Sequence, residues 1–400
     1  MAKLADDRTK VRITQEFPIE SPASSRKLKR RLSIVDIDQV RLAEARQSFA
    51  TRRVDIDQVA KLIHGPIRPR PGDVVLARVD RIRYHRRLEL ANGRKANLHS
   101  GDEIIVAYGD RYATDQFEGV VPIDLGPTNL IATGGVAATM ASRTVGMRPA
   151  TEITPVGLLG NKRGDPINLR DFAVRLAVPK RKRPQTIAVL GTSMNSGKTT
   201  ACKSLIRGLR AAGKKVAGLK VTGTGSGGDY WAMADAGAHL VADFSDAGYA
   251  STYRLSQIEL ELILFELLAL ATAAEVDVAV IEVADGIFQE QNRQLIRSSA
   301  FQTAIDRIVF SAGDAMGAEQ GLWTLMKCGL PVVALSGRVT MSSLAMREIP
   351  DKWPLAVLSK HQLEAPHLAL SEVLQAPVSH HQIGAEESGA ANQSVFDWTS

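Results

Sequence analysis

Residues 186–200 constrain this chain more than any other stretch, because they join a strand, a loop and a helix in one run. The run reads TIAVLGTSMNSGKTT, an apolar β-branched segment followed by a loop of small residues. Residues 201–212 continue with apolar side chains at helical spacing. A loop of this kind turns its backbone N–H groups toward a phosphate, and the helix N-terminus adds a partial positive charge. The segment therefore predicts a phosphate-binding loop in an α/β domain.

Two residues at the end of this loop are expected to carry its chemistry. Lys198 is expected to reach the outer phosphates of a nucleotide, and the Thr199 hydroxyl is expected to bind Mg²⁺. The remaining loop residues are expected to surround the phosphates. The predicted nucleotide-binding set is Gly191, Thr192, Ser193, Met194, Asn195, Ser196, Gly197, Lys198, Thr199 and Thr200.

The spacing of the loop departs from the common G-x-x-x-x-G-K-[ST] pattern, because its first glycine is Gly191, one residue earlier than usual. In this respect the loop resembles the G-T-x-x-x-x-G-K-T loop of dethiobiotin synthetase and related P-loop enzymes, which activate small acids with ATP. The resemblance covers roughly residues 184–350. It implies a P-loop NTPase domain that uses ATP and Mg²⁺.

Two further strand ends carry the same resemblance. Lys220 ends a strand and precedes a Gly/Ser-rich segment that leads to Asp229, which is similar to a family segment whose lysine helps bind substrate and γ-phosphate and whose aspartate helps hold the metal. Glu282 ends a buried strand and resembles the glutamate of the family's V-E-G-A-G-G motif. A Mg²⁺-nucleotide enzyme places its second carboxylate at such a strand end. The predicted metal set is thus Thr199, Asp229 and Glu282, with helix capping as the alternative role of Asp229.

Asp285 stands where the family has small residues. A carboxylate there could bind a second cation, accept hydrogen bonds from a substrate ammonium, or act as a general base. The alternative role is to cap a helix beginning near Ile287. The predicted catalytic residues are therefore Lys198, Lys220 and Asp285, and the predicted substrate is a small-molecule acid or an amino acid.

The order of patterns along the 400 residues predicts several segments. The fold class is α/β, with a parallel-sheet P-loop NTPase domain preceded by a small β-rich, barrel-like region that resembles no known functional module. Short antiparallel strands are expected there, separated by turn signals. The predicted segments are a disordered basic tail (1–33), short helices (34–71), the β-rich domain (72–180), the P-loop domain (184–376) and a mobile C-terminal tail (377–400).

The composition and charge distribution indicate which kinds of binding partner to expect. The net charge is +7, but nine Lys/Arg against four Asp/Glu lie within residues 1–33 and four more lie at 180–183, so the excess belongs to a tail and a linker. With only 5% aromatic residues, the chain is not expected to bind nucleic acid. Two cysteines, no apolar signal segment and no apolar run long enough to span a bilayer predict a cytoplasmic protein without a membrane partner. The apolar helix at 258–274 is expected to be buried or to pair two copies in a homodimer.

Other polar residues remain as weaker candidates. The turn residues Asn161, Lys162, Arg163 and Asp165 could contact substrate, and Arg338 could contact the nucleotide base or a partner subunit. His85 and His99 have no carboxylates at metal-like spacing, which argues against metal binding.

The function predicted from these features is ATP- and Mg²⁺-dependent activation of a small carboxylate or carbamate by phosphoryl transfer. Two alternatives stay open. One is an acyltransferase resembling D-glutamate N-acetyltransferase-type P-loop proteins, from residues 235–246. The other is a nucleotide-binding regulator or cofactor-assembly GTPase, although the sequence offers no strong Asn-Lys-x-Asp motif for reading guanine.

Overall fold

Two β-sheets organise the protein, one before residue 177 and one after residue 181. The computed structural model describes residues 31–176, 181–351 and 353–377. Apart from their innermost residues, the predicted tails (1–33 and 377–400) lie outside the described residues. In the described part of the chain, no helix is long and apolar enough to cross a membrane.

The first sheet closes into a barrel. Strand β11 pairs with β4, β4 with β7, β7 with β10, β10 with β9, and β9 again with β11, which completes a ring. The remaining strands extend this ring or form a separate hairpin. The elements are β1 (Ser33–Asp36), α1 (Gln39–Glu44), β2 (Arg46–Gln47), β3 (Lys61–His64), β4 (Val74–Arg81), β5 (Arg87–Glu89), β6 (Lys95–Asn97), β7 (Glu103–Tyr108), β8 (Phe117–Val120), β9 (Thr128–Ala132), β10 (Val136–Arg143) and β11 (Thr151–Gly160), with 3₁₀ turns at Phe49–Thr51, Ile56–Gln58 and Leu169–Phe172.

The barrel-like region is confirmed, with two corrections. It is not purely antiparallel, because β10 and β2 both run parallel to β7. The short helices expected within residues 34–71 form only in part: α1 and two 3₁₀ turns are present, but strands β1 and β3 also form there and pair antiparallel with each other. Strand β3 in turn pairs with β11, about a hundred residues later in the chain, so tertiary pairing overrides the local helical pattern.

The second sheet is the predicted parallel one. Its order is β14-β13-β15-β12-β16-β17-β18, and each neighbouring pair is parallel. Five of its strands coincide with near-continuous apolar runs of the sequence, whereas the short edge strands β14 and β18 do not stand out in it. The strands are β12 (Gln185–Gly191), β13 (Val216–Thr222), β14 (Leu240–Asp243), β15 (Val278–Val283), β16 (Arg307–Ser311), β17 (Val332–Ser336) and β18 (Ala356–Val357).

Helices cover both faces of this sheet, and alternate residues of β12 supply the two cores. Ala188 and Leu190 pack in the cluster that contains the buried side of α4, whereas Ile187 and Val189 pack in the cluster that contains α2. The helices are α2 (Lys198–Ala211), α3 (Gly228–Asp235), α4 (Gln257–Ala273), α5 (Glu290–Arg297), α6 (Ser299–Ala304), α7 (Ala315–Lys327), α8 (Ser343–Arg347), α9 (Lys360–Glu364) and α10 (Pro366–Leu368), followed by a π-helical turn at Ala369–Leu374 and with a 3₁₀ turn at Arg338–Met341. This is an α/β P-loop NTPase fold preceded by a β-barrel.

A buried ion-pair cluster joins the barrel to the parallel sheet. Arg52, beside the first 3₁₀ turn, contacts Asp243 at 3.0 Å and Asp246 at 2.7 Å. Both carboxylates are almost completely buried. The Arg52 guanidinium also lies 4.1 Å from the centre of the Phe49 ring, which packs edge-on against Tyr230 of α3. The barrel is therefore held against the carboxyl-end side of the parallel strands, where ligands bind in such sheets.

Candidate functional site

The predicted phosphate loop lies between β12 and α2. Thr192 N donates to Ser311 O at 3.0 Å, and Arg338 N donates to Ser196 O at 2.9 Å, so the ends of β16 and β17 hold both sides of the loop. Lys198 is buried at the first position of α2, and its Nζ donates to Ser193 O at 2.7 Å. The lysine side chain thus lies across the loop, where the outer phosphates of a nucleotide would bind.

Two glycines allow this loop to close. A Cβ on Gly191 would lie 2.4 Å from Ser196 Oγ and 2.9 Å from Lys198 Cγ. Gly197 has φ +106°, and a Cβ there would lie 2.9 Å from the Cα of Gly337. Gly191 therefore leaves room for the Lys198 side chain. Gly197 supplies the left-handed backbone conformation needed immediately before α2.

Strand register brings the second lysine and the second carboxylate together. Lys220 in β13 and Glu282 in β15 are register partners in neighbouring parallel strands. Thr199 Oγ1 lies 2.7 Å from Asp229 Oδ1 and 3.0 Å from Glu282 Oε1, within hydrogen-bonding distance of both. The Lys220 ammonium forms a short ion pair with Asp229. The structure thus brings together the predicted metal set and both predicted lysines.

Burial and mutual charge set the protonation of these groups. Burial lowers the pKa of Lys198, although Glu282 and Asp285 act in the opposite direction. Burial disfavours the charged forms of Lys220 and Asp229, but the attraction between the two groups favours those forms more strongly. The pKa of Lys220 is therefore raised, and the pKa of Asp229 is lowered. Burial, with repulsion from Asp229, raises the pKa of Glu282 to about 7.

The donor set suits Mg²⁺ bound together with phosphate. Among the described residues there is no cluster of three or more His, Cys, Asp or Glu that would hold a metal alone. Mg²⁺ does not need one, because it commonly takes one or two carboxylates together with substrate phosphates and water. Glu282 Oε2 is buried without a hydrogen-bond partner beside the Thr199 hydroxyl. A cation held by Thr199, Asp229 and Glu282 would satisfy this oxygen.

Asp285 follows β15 and faces the same cavity. It does not cap a helix, because α5 begins only at Glu290 and Gln289 is its N-cap residue, which corrects the expected alternative. Its backbone is left-handed, with φ +64°. Burial raises the pKa of Asp285, whereas Lys198, Lys220 and Arg111 favour its charged form.

The cavity above the phosphate loop has a volume of about 690 Å³ and two different walls. One wall contains the loop, Lys220, Asp229, Glu282 and Asp285. The other comes from the barrel, whose loops place aromatic, basic and polar side chains opposite the phosphate loop. The barrel residues are Tyr84, His85, Arg111, Tyr112, Ala113, Gln116, Ala132 and Thr133.

Direct hydrogen bonds connect the barrel to the phosphate loop and to the segment before α3. Asn195 of the phosphate loop, itself at φ +60°, donates to Asp115 Oδ2 at 3.0 Å. Gly227, just before α3, donates its N–H to the buried Glu89 carboxylate at 2.8 Å. The barrel therefore positions both the phosphate loop and the glycine-rich segment before Asp229.

Sequence reasoning missed the barrel wall of the cavity. The sequence offers only one possible role for His85, that of a metal ligand. In the structure, His85 Nε2 lies 3.0 Å from Ile131 O. A carbonyl oxygen only accepts, so this nitrogen carries the proton. Burial, and the neighbouring Arg111, lower the pKa of His85 to about 4. Residues 108–112 read YGDRY, a turn of glycine and polar residues with the composition of loops that line a site, but nothing local indicates which site they face.

Most of the other polar residues considered from the sequence lie outside the cavity above the phosphate loop. Asn161, Arg163 and Asp165 line a separate cavity, and Asn161 Oδ1 accepts from the backbone N–H groups of Arg163 and Asp165 as part of the turn. His99 is exposed beside Asp102. Arg338, by contrast, does line the cavity above the phosphate loop.

Comparisons with known proteins give only distant similarities. No protein-family model and no curated protein matches the chain. Among solved structures, the chain is similar to the signal recognition particle receptor FtsY from Elizabethkingia anophelis, with a TM-score of 0.33 and 15% identity over 45% of this chain and 59% of that one. It is also similar to the 54 kDa signal recognition particle protein from Aeropyrum pernix in complex with GDP, with a TM-score of 0.29 and 16% identity over 49% of this chain and 42% of that one.

A third similar structure is the cell division protein FtsY from Thermotoga maritima, with a TM-score of 0.30 and 20% identity over 51% of this chain and 74% of that one. The chain thus spans less than two thirds of the Elizabethkingia receptor. The phosphate loop and the parallel sheet define an α/β fold of the P-loop type, and the lysines and carboxylates cluster beside that loop. The narrower resemblance to dethiobiotin synthetase finds no support in these comparisons.

Proposed function

We propose that this protein is a Mg²⁺-dependent phosphotransferase that takes the γ-phosphoryl group from a nucleoside triphosphate and transfers it to a small molecule held between the barrel and the phosphate loop. The observation that carries the proposal is the position of the Thr199 hydroxyl, within hydrogen-bonding distance of both Asp229 and Glu282 and beside two buried lysines. This arrangement can hold a cation and neutralise phosphate charge at one point.

The residues have separate tasks in this reaction. Lys198 and Lys220 bind phosphate oxygens and stabilise the charge that develops as the bond between the γ-phosphorus and the β-phosphate oxygen breaks. Thr199, Asp229 and Glu282 would hold Mg²⁺, and a bound Mg²⁺ would neutralise phosphate charge. A new bond forms between the γ-phosphorus and an oxygen of the acceptor, and the nucleoside diphosphate leaves. The barrel wall excludes water and orients the acceptor.

The space beside the loop favours an acceptor over hydrolysis alone. A cavity of about 690 Å³ is large enough for a nucleotide's phosphates and a second small molecule, since ligand pockets span roughly 300–1,000 Å³. ATP is the nucleotide proposed from the sequence resemblance, and GTP is tested beside it. A GTP-binding regulator is the second candidate; it would hydrolyse GTP with no acceptor.

Formation of nucleoside diphosphate by the full chain tests the proposal, because transfer of the γ-phosphoryl group releases it. With Mg²⁺ and either ATP or GTP, Lys198→Ala is expected to lower turnover by about a hundredfold or more, because one preorganised donor to transition-state charge contributes that much. Lys203→Ala is the matched control, since Lys203 lies exposed on the same helix, and its turnover should equal that of the wild type. Equal turnover of the Lys198 variant, or turnover that does not need Mg²⁺, would overturn the proposal.

The same samples separate the alternatives. Release of free CoA from acetyl-CoA, with no loss of nucleotide phosphate, would identify an acyltransferase. Phosphate release from GTP that no small molecule accelerates would identify the regulator. We further propose that the protein is a homodimer and is located in the cytoplasm; this assay tests neither proposal.

A further inference from the structure

Arg111 is the most deeply buried cation of the barrel wall. It is only 7% exposed, and it lines the cavity opposite the phosphate loop. Its backbone is fixed by a two-way bridge: Arg111 N donates to Gly119 O at 2.9 Å, and Gly119 N donates to Arg111 O at 3.0 Å. The side chain is therefore delivered to the cavity by a rigid part of the barrel.

The direct hydrogen bonds of the Arg111 guanidinium all go to neutral groups. One terminal nitrogen donates to Ile131 O, and the other donates to Gln116 Oε1 at 2.7 Å. Its Nε is buried with no hydrogen-bond partner. Within the described residues, no carboxylate forms an ion pair with it. Asp115 and Asp285 act on Arg111 only through space.

A buried guanidinium in this state has unused binding capacity. Burial lowers the pKa of Arg111 to about 10, so the group is still a cation at neutral pH. A buried charge is normally paired, because leaving it without a counter-ion is costly. Since a guanidinium presents a fork of donors that matches a carboxylate, the missing counter-ion is most simply a planar anion from the cavity.

We propose that Arg111 binds the carboxylate of the second substrate, which is therefore a small carboxylic acid. The proposal rests on the function proposed above and adds the chemical class of the acceptor and the residue that anchors it. Tyr84, Tyr112 and His85 line the same cavity, and an acid that shares its volume of about 690 Å³ with the phosphates of a nucleotide must be small. The nucleotide is held by the opposite wall, so the two ligands occupy different ends of one cavity.

Gln116→Glu is the sharpest variant for testing this proposal. Glutamate has nearly the shape of glutamine, and at this position it would place a carboxylate oxygen where Arg111 already donates. The variant keeps Arg111 but supplies the counter-ion from within the protein. We expect carboxylate affinity to fall by about tenfold or more, with a melting temperature equal to or above that of the wild type, because a charged hydrogen bond replaces a neutral one.

The probes are propionate, succinate, glutarate and β-alanine, each compared with its amide. Binding is measured by calorimetry on the full chain with Mg²⁺, with and without nucleoside diphosphate. At least one acid should bind the wild type while its amide does not. Arg111→Gln should lose that binding, Arg111→Lys should retain part of it, and Arg148→Gln, an exposed control on the barrel side of the chain, should behave as the wild type.

Two outcomes would overturn the proposal. One is that no acid of the panel binds the wild type at millimolar concentration; the other is that acid and amide bind equally well to the wild type and to Gln116→Glu. Failure of the proposed function is distinguishable, because it would appear as absent binding when the same samples are titrated with nucleoside diphosphate. Acid binding that survives without any nucleotide binding would support the Arg111 site and contradict the phosphoryl-transfer reaction.

Discussion

At the scale of single residues, Asp285 separates this site from the family that the loop resembles. Its carboxylate faces a cavity that also contains Lys198, Lys220 and Arg111, and its charge interacts with all three cations. Its backbone adopts a left-handed conformation that most side chains avoid and that Asn and Asp tolerate best. A non-glycine residue held in this conformation beside a cavity is a common feature of functional sites.

Asp285→Asn is expected to reduce turnover by about tenfold or more and to leave the melting temperature almost unchanged. Asparagine keeps the shape and tolerates the left-handed backbone, but it removes the negative charge. Asp285→Ala is the comparison variant, because it additionally introduces backbone strain of about 1–2 kcal/mol. Turnover and thermal unfolding of both variants check this prediction. Unchanged kinetics in Asp285→Asn would show that the charge has no part in the reaction.

At the scale of elements, the site depends on how closely the phosphate loop packs against itself and its neighbours. Gly191 ends β12 at a point where Ser196 and Lys198 fill the space that a side chain would need. The loop is further held by β16, β17 and the barrel residue Asp115. Its shape is therefore fixed by contacts on three sides, and it is preorganised for phosphate.

Gly191→Ala is expected to weaken nucleotide binding by about tenfold or more, because the new Cβ would displace the Lys198 side chain or open the loop. Gly228→Ala is the control: that glycine starts α3, has open space around its Cβ direction, and should tolerate alanine with little change or a slight gain in stability. Nucleotide titration of both variants tests this. If Gly191→Ala bound nucleotide as the wild type does, the close packing would not matter for function.

The inner strands of the parallel sheet could be predicted from the sequence because their burial is visible in their own residues. Strands β12, β13, β15, β16 and β17 are buried on both faces, so each appears in the sequence as a continuous apolar run. Lys198, Thr199, Lys220, Asp229 and Glu282 could be grouped because the carboxyl ends of parallel strands meet at one edge. The short edge strands β14 and β18 carry too few residues for a comparable signal.

At the scale of the whole molecule, the barrel wall of the site could not be predicted from local patterns. Arg111 lies more than eighty residues before Lys198, and it reaches the cavity only because the barrel docks on the parallel sheet. That docking depends on Arg52 with Asp243 and Asp246, a contact between groups almost two hundred residues apart. Strands β1 and β3, which lie where short helices were expected, have the same origin, since β1 pairs with β3 and β3 pairs with the distant β11.

Equilibrium titration of the full chain with Mg²⁺ and a non-hydrolysable analogue of ATP, repeated with that of GTP, tests the central claim most directly. The structure predicts saturable binding of one nucleotide per chain for at least one of the two. Chelating Mg²⁺ should weaken it by about tenfold or more, because Thr199, Asp229 and Glu282 would lose the cation that joins them to the phosphates. Absence of binding to both nucleotides at millimolar concentration, or equal affinity with and without Mg²⁺, would contradict the account.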